Sequence, residues 1–289
     1  MNKNTDIVEI KFGDENYPKL LKEIQNPPPT LFARGVIDDI GPAVAIVGTR
    51  RATQSGIKIA ENIAYDLGSR GFTIISGLAI GIDTAAHAGA LRAGARTIAV
   101  LGNGLNKIYP AQNANLAEKI LETGGAIISE YGMVGPSHKG IFLNRNRIIS
   151  GLSLGIVFVE VPIRSGAVNT ASWAGEQGRS IFVIPGPTSH PNYAGSHKLI
   201  RDGGTLVTGA ADILEDLGYE IETKTSAEST GFENAAEKLI FETIKNAGAP
   251  ITIDDLIEST DLDADAMNVG IATLVIQKSI LETPNGYTI

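Results

Sequence analysis

Cysteine is absent from the 289-residue chain, which excludes a disulfide framework and any thiolate metal site. Histidine is scarce, with 4 residues, and no two form an H-x-x-x-H pair, so no metal site is expected. No apolar run approaches the roughly 18 residues of a membrane span, so no membrane association is expected. The opening residues, MNKNTDIVEIKFGDENYP, hold no apolar segment like that of a secretory signal, and a cytoplasmic location is the expectation. An excess of basic charge is missing as well: the net charge is −8, and residues 234–289 carry nine acidic and three basic side chains. A chain-wide attraction for nucleic acid is thereby excluded, and any anion site must be local to the near-neutral centre of the chain.

Two signature loops are also lacking. The turn after the first central strand holds one glycine before Arg50, where a dinucleotide fold places G-x-G-x-x-G, and the next strand ends in Ser76-Gly77 without an acidic residue for a ribose. Gly-Lys-Ser/Thr occurs nowhere, so a nucleoside-triphosphate loop is absent. No cofactor is expected.

What the chain does have, from Ala43 onward, is a regular alternation of apolar runs (AVAIVG, FTIISG, RTIAVLG, AIISE, IVFVEV, SIFVIPG) with helical patterns. Strands that read as unbroken apolar runs are buried on both faces, which predicts an α/β doubly wound parallel sheet over residues 36–217. Before it, residues 1–35 read as a short helix and an extended arm, because Pro27, Pro28 and Pro29 cannot lie inside a helix. Residues 218–233 are small and polar and read as a linker. Residues 234–289 read as three helices and a strand pair turning at Asn285-Gly286, the order of a small winged-helix domain. Its third helix, expected near Asp265 to Ile280, carries Lys278 as its one lysine.

In an open parallel sheet, ligands bind beyond the carboxyl ends of the strands, where helix N-termini present free N–H groups. There the sequence places Gly48-Thr49-Arg50-Arg51, Ser76-Gly77, Gly102-Asn103-Gly104, Ser165-Gly166 and Pro185-Gly186. Any one such loop serves equally well as a tight turn; five along one edge make an anion cradle. The stretch FLNRNRIISGLS adds Arg145, Asn146 and Arg147, with Lys139 and Phe142 just upstream. Guanidinium forks suit phosphate oxygens and an aromatic face suits a base. Equally, these arginines suit ion pairs with Glu130 or Glu160. Asp83 and His87, at i and i+4, read as a hydrogen-bonded pair fixing a helix start, with a proton relay as the sharper alternative. The G-x-S-x-G string at Gly151–Gly155 has a helix before it and a strand after it, the reverse of a hydrolase elbow, so Ser153 is not expected to be a nucleophile.

The motifs VGTR (47–50), SGLAIGID (76–83), Tyr109-Pro110, SEY (129–131), FLNRNRIISGLS, SGAVNTASWAGEQGR (165–179) and HKLIRDGG (197–204) together resemble the DNA-processing protein A family, also called DprA or Smf. The resemblance implies an extended Rossmann-like core that forms a homodimer. It implies a non-catalytic role: binding single-stranded DNA without sequence preference, displacing single-strand-binding protein and loading the recombinase RecA during natural transformation. Family DNA contacts map onto Arg50, Lys139 and Phe142, with further contacts around Ser76, Gly77, Gly104, Ser165 and Gly166. A winged helix recurs in the family; being acidic here, it is expected to contact protein or to assist on duplex, and not to be the main DNA reader. The competing reading is an enzyme similar to Rossmann-like nucleotide phosphoribohydrolases, with Glu176 as its acid. Against it, Ser165-Gly166-Ala167 stands where that group has paired glycines.

Overall fold

The computed structural model describes residues 7–135, 139–219, 235–260, 262–276, 279–283 and 285–288, leaving aside the side chains of Lys139, Ala235 and Ile276. The chain divides into two units, Met1–Ile221 and Glu222–Ile289.

In chain order the first unit runs β1 (Val8–Lys11), α1 (Lys19–Lys22), β2 (Thr30–Gly35), β3 (Ala43–Gly48), α2 (Gln54–Gly68), β4 (Thr73–Ser76), α3 (Ile82–Arg92), β5 (Thr97–Leu101) and α4 (Ala114–Glu122). It continues with β6 (Ala126–Ser129), α5 (Lys139–Gly151), β7 (Gly155–Val159), α6 (Gly166–Glu176), β8 (Ser180–Val183), α7 (Ala194–Arg201), β9 (Thr205–Leu206) and α8 (Ala210–Asp216). The strands form one sheet in the order β1-β2-β6-β5-β4-β3-β7-β8-β9, parallel from β6 through to β9. The apolar runs account for this. In β3, Ala43, Ala45 and Val47 enter the core on one face of the sheet while Val44 and Ile46 enter the core on the other. A strand buried on both faces needs helices on both, and the βα alternation supplies them.

The arm expected over residues 1–35 is part of this sheet. β2 pairs antiparallel with β6, and β1 pairs antiparallel with β2. Ile10, Leu31 and Ala33 thereby join the same core as Ala45 and Ile128. The three prolines lie before β2, outside the ladder, where a missing N–H does no harm. Tyr17 donates its hydroxyl to the Pro28 carbonyl across 2.7 Å.

From β3 the chain winds outward through β4, β5 and β6, then returns to lay β7 against the other side of β3. The order reverses between β3 and β7, and the carboxyl ends of those two strands open a crevice there. The second unit comprises α9 (Ala235–Ala247), α10 (Ile253–Thr260), α11 (Ala264–Ile276) and an antiparallel hairpin of β10 (Leu281–Thr283) with β11 (Gly286–Thr288). Its core gathers Ile240, Leu256, Met267 and Leu274. Its third helix is described from Ala264 to Ile276; Lys278, expected on it, falls outside the described residues, as does most of the linker expected over 218–233.

Candidate nucleic-acid interface

The crevice at the switch point is a cleft of about 600 Å³. The turn after β3 brings Gly48, Thr49, Arg50 and Arg51 to it, the end of α5 nearest that turn brings Phe142, Arg145 and Asn146, and the start of α6 brings Arg164, Ser165 and Gly166. A smaller recess beside it, of about 80 Å³, is bounded by Gly77, Ala79, Tyr109, Phe142, Arg50 and Arg145. Sequence positions as distant as 48 and 166 meet here because the parallel sheet aligns the carboxyl ends of its strands.

The groups divide into those that face the cleft and those that build it. Arg50, Arg51 and Arg164 are exposed and have no ion pair among the described residues. Phe142 is half-buried and packs against the half-exposed Tyr109, with ring centroids 5.5 Å apart and planes tilted by 41°. The Phe142 ring rests on Gly102, where a Cβ would come within 2.8 Å of its edge. Ser165 caps α6 without a side-chain bond to it, and its buried hydroxyl has no partner among the described residues.

Beneath them lies a polar frame. Arg145 is buried and donates to the Gly77 carbonyl (3.0 Å), to the Val100 carbonyl and to Asn146 Oδ1 (3.3 Å). Asn146 donates in turn to the Gly166 carbonyl at 3.2 Å, tying α5 to the start of α6. Asp83 accepts the N–H of Gly77 at 3.1 Å and of Ala79 at 3.3 Å. Burial raises the Asp83 carboxyl above its ordinary value, opposed first by Arg145; burial likewise brings Arg145 down to about 10, opposed by Asp83. Against burial, each group's field favours the charged form of the other, and the Gly77 and Ala79 N–H groups favour the Asp83 carboxylate as well.

Asp83 and His87, expected to pair, do not. Asp83 turns to the preceding loop, and His87 Nδ1 meets Thr97 Oγ1 at 2.7 Å. Since the Thr97 hydroxyl donates to the Ile74 carbonyl, it accepts from His87, which leaves His87 Nε2 a buried acceptor without a partner. Burial, with Arg145 nearby, pushes the His87 pKa down to about 3.

Several residues named in the sequence build the site or lie elsewhere. Ser76 is fully buried and donates to the Ile46 carbonyl at 2.7 Å, joining β4 to β3. Thr49 is buried and accepts the Arg51 N–H at 3.1 Å, shaping the turn. Gly104 is buried against the Met133 carbonyl and the Gly135 N–H. Arg147 projects away from Arg145, since two residues turn a helix by about 200°. It pairs with Glu130 and donates to the Asn26 carbonyl at 3.0 Å. Lys139 opens α5, but its side chain is outside the described residues. Glu176 stands at the far end of α6, about 15 Å along the helix axis from Gly166 at the usual rise per residue, and lines a different recess with Trp173 and Gln177. Ser153 is fully buried and donates to the Ile149 carbonyl at 2.9 Å. Tyr109 and Arg164 are lining residues that the sequence reading did not assign, and Arg51 was named there only as part of the first turn. Tyr109 stood within a quoted motif, and the two arginines adjoin assigned positions.

No described helix is long and apolar enough to cross a membrane, and no described group of acidic and histidine residues could hold a metal. Residues 9–218 match the family model of DNA recombination-mediator protein A. The chain is 37% identical over 284 residues to protein Smf of Escherichia coli, covering 96% of this chain and 76% of that one. It is 41% identical over 207 residues to the DNA processing protein DprA of Streptococcus pneumoniae, covering 71% and 73%. The X-ray structure of the pneumococcal DprA superposes with a TM-score of 0.69 at 39% identity over 75% of this chain and 76% of that one. A structure of Helicobacter pylori DNA processing protein A, described for its single-stranded DNA binding mode, superposes with a TM-score of 0.67 at 28% identity over 76% and 100%.

Proposed function

The chain belongs to the DNA recombination-mediator protein A family, and from that premise we propose that it binds single-stranded DNA without regard to sequence and hands the strand to RecA. The observation that carries this reading is the meeting, in one cleft, of an aromatic pair with three arginines that have no ion pair among the described residues. Arg50, Arg51 and Arg164 supply point contacts for successive phosphates, while Phe142 and Tyr109 offer ring faces on which any base stacks. Among the described lining residues, Asp83 and Asn146 are engaged in the frame beneath the cleft and do not reach for base edges, so the binding tolerates sequence. A duplex hides its base faces and gains little from the rings.

In this reading the protein displaces single-strand-binding protein, loads RecA onto incoming strands during natural transformation, and does so in the cytoplasm as a homodimer. It is a binding protein with no catalytic step. The phosphoribohydrolase alternative is disfavoured because Glu176, its acid, lies a helix length from the cleft. We read the second unit as a winged helix that contacts protein: α11, the helix such a domain would place in a groove, has no basic residue between Ala264 and Ile276.

The test is fluorescence anisotropy with a labelled oligonucleotide, single-stranded and then annealed, followed by RecA filament formation on strands coated with single-strand-binding protein. The reading expects tight binding of the single strand, weak binding of the duplex, and filaments only when this protein is added. Equal binding of both DNA forms overturns strand selectivity, and filaments formed equally without the protein overturn the loading role.

A further inference from the structure

Glu160 follows β7 directly and is fully buried, with its backbone in the left-handed region at φ 51°. Few non-glycine residues adopt that conformation. The carboxylate accepts the Thr53 N–H at 3.0 Å, Asn192 Nδ2 at 2.9 Å, the Tyr193 hydroxyl at 3.4 Å, and the Thr53 hydroxyl. All these donors are neutral, and no lysine or arginine pairs with Glu160 among the described residues. A buried carboxylate without a cation is costly unless something else favours its charge.

That something is α2. Thr53 is its N-cap. The Glu160 carboxylate also lies so close to the first turn that a Cβ on Gly56 would fall 2.6 Å from its Cδ. The positive end of a 15-residue helix thus faces the carboxylate. This helix follows the first parallel strand and flanks the switch point, the place where doubly wound folds seat a ligand's phosphate.

We infer that the Glu160 carboxylate is this protein's own anion in the phosphate seat of the fold, and that it denies the seat to free nucleoside phosphates. The same residue sets the arginine turn. Its carbonyl accepts the Thr49 N–H at 3.0 Å, and Asn192 bridges the carboxylate to the Arg51 carbonyl. With the helix end filled from within, Arg50 and Arg51 are left to face outward. Phosphate recognition therefore passes from the α2 backbone to side chains on the rim, which suits a polymer crossing the surface better than a nucleotide buried in a pocket. This inference goes beyond the single-strand reading and does not depend on it, because its test contains no DNA.

The experiment is Glu160→Ala in the full chain, melted in sodium acetate, in sodium phosphate and in sodium chloride at matched ionic strength, beside the wild type. Emptying the seat lowers the melting temperature. Acetate or phosphate then restores about 2–4 °C more in the variant than in the wild type, each relative to chloride. Equal responses in variant and wild type overturn the inference. Should Glu160→Ala fail to fold, Glu160→Gln keeps the shape and removes the charge. Hydrogen exchange at the Thr53 and Gly56 amides is then expected to quicken about tenfold, and unchanged exchange overturns the inference.

Discussion

Arg145 donates from Nη1 to the carbonyl of Gly77 across 3.0 Å, lying beneath the loop that roofs the small recess beside the cleft. Asp83 takes the N–H of the same glycine from the other side. One residue is therefore fixed at both of its polar atoms, and the loop after β4 is rigid before any ligand arrives. A methyl group on Gly77 would sit 2.7 Å from Nη2 and 2.8 Å from Cζ of a guanidinium that is already packed in. Gly77→Ala is expected to lower stability by about 1–3 kcal/mol, measured by urea denaturation.

Removing Arg145 does more. Arg145→Ala leaves the Gly77 and Val100 carbonyls without their donor and Asp83 without the cation that opposes its burial. A loss of about 3–5 kcal/mol follows, as when one member of a buried charge pair is deleted. The melting temperature checks this, and a shift no larger than that of an exposed arginine would refute the framing role.

The pH dependence follows from His87. Its folded pKa of about 3 lies below its ordinary value of 6.5, so its contribution to stability is present above pH 6.5 and is lost as pH falls toward 3. In that window the unfolded chain takes up a proton that the fold refuses, a slope of up to about 1.4 kcal/mol per pH unit. His87→Gln is expected to flatten the fall in stability between pH 6 and 4 relative to wild type; equal slopes would show that His87 is protonated inside the fold.

Phe142→Ala is expected to weaken single-strand binding by about 1–3 kcal/mol through lost stacking, and Tyr109→Ala by a smaller amount in the same direction. Because the two rings touch, the double substitution should cost less than the sum of the singles. Anisotropy titrations of the four proteins give the coupling, and strict additivity would mean that the rings act on separate bases.

Most of the sheet was legible because apolar runs in the central segment are buried on both faces and need no knowledge of their neighbours. The first two strands were not. Val8–Lys11 and Thr30–Gly35 pair with each other and with Ala126–Ser129, and a contact spanning about a hundred residues leaves no local signature. The candidate site was legible as an edge of the sheet and less so residue by residue. Arg145 and Arg147 are equivalent on paper. Once α5 buries Ile141, Ile148 and Ile149, its twist sends the first under the Gly77 loop and the second to Glu130. Glu160 was read only as an ion-pair partner for the arginines of α5, which it is not among the described residues, since its donors come from residues 53, 192 and 193.

The most direct test of the central claim is the salt dependence of single-strand affinity for wild type, Arg50→Ala and Arg147→Ala. Each lost phosphate contact reduces the slope of log affinity against log salt by about 0.7 for a single strand. The account predicts that reduction for Arg50→Ala, whose guanidinium faces the cleft. It predicts an unchanged slope for Arg147→Ala, whose charge is already met by Glu130. A slope unaltered by Arg50→Ala, or one reduced equally by Arg147→Ala, would contradict it.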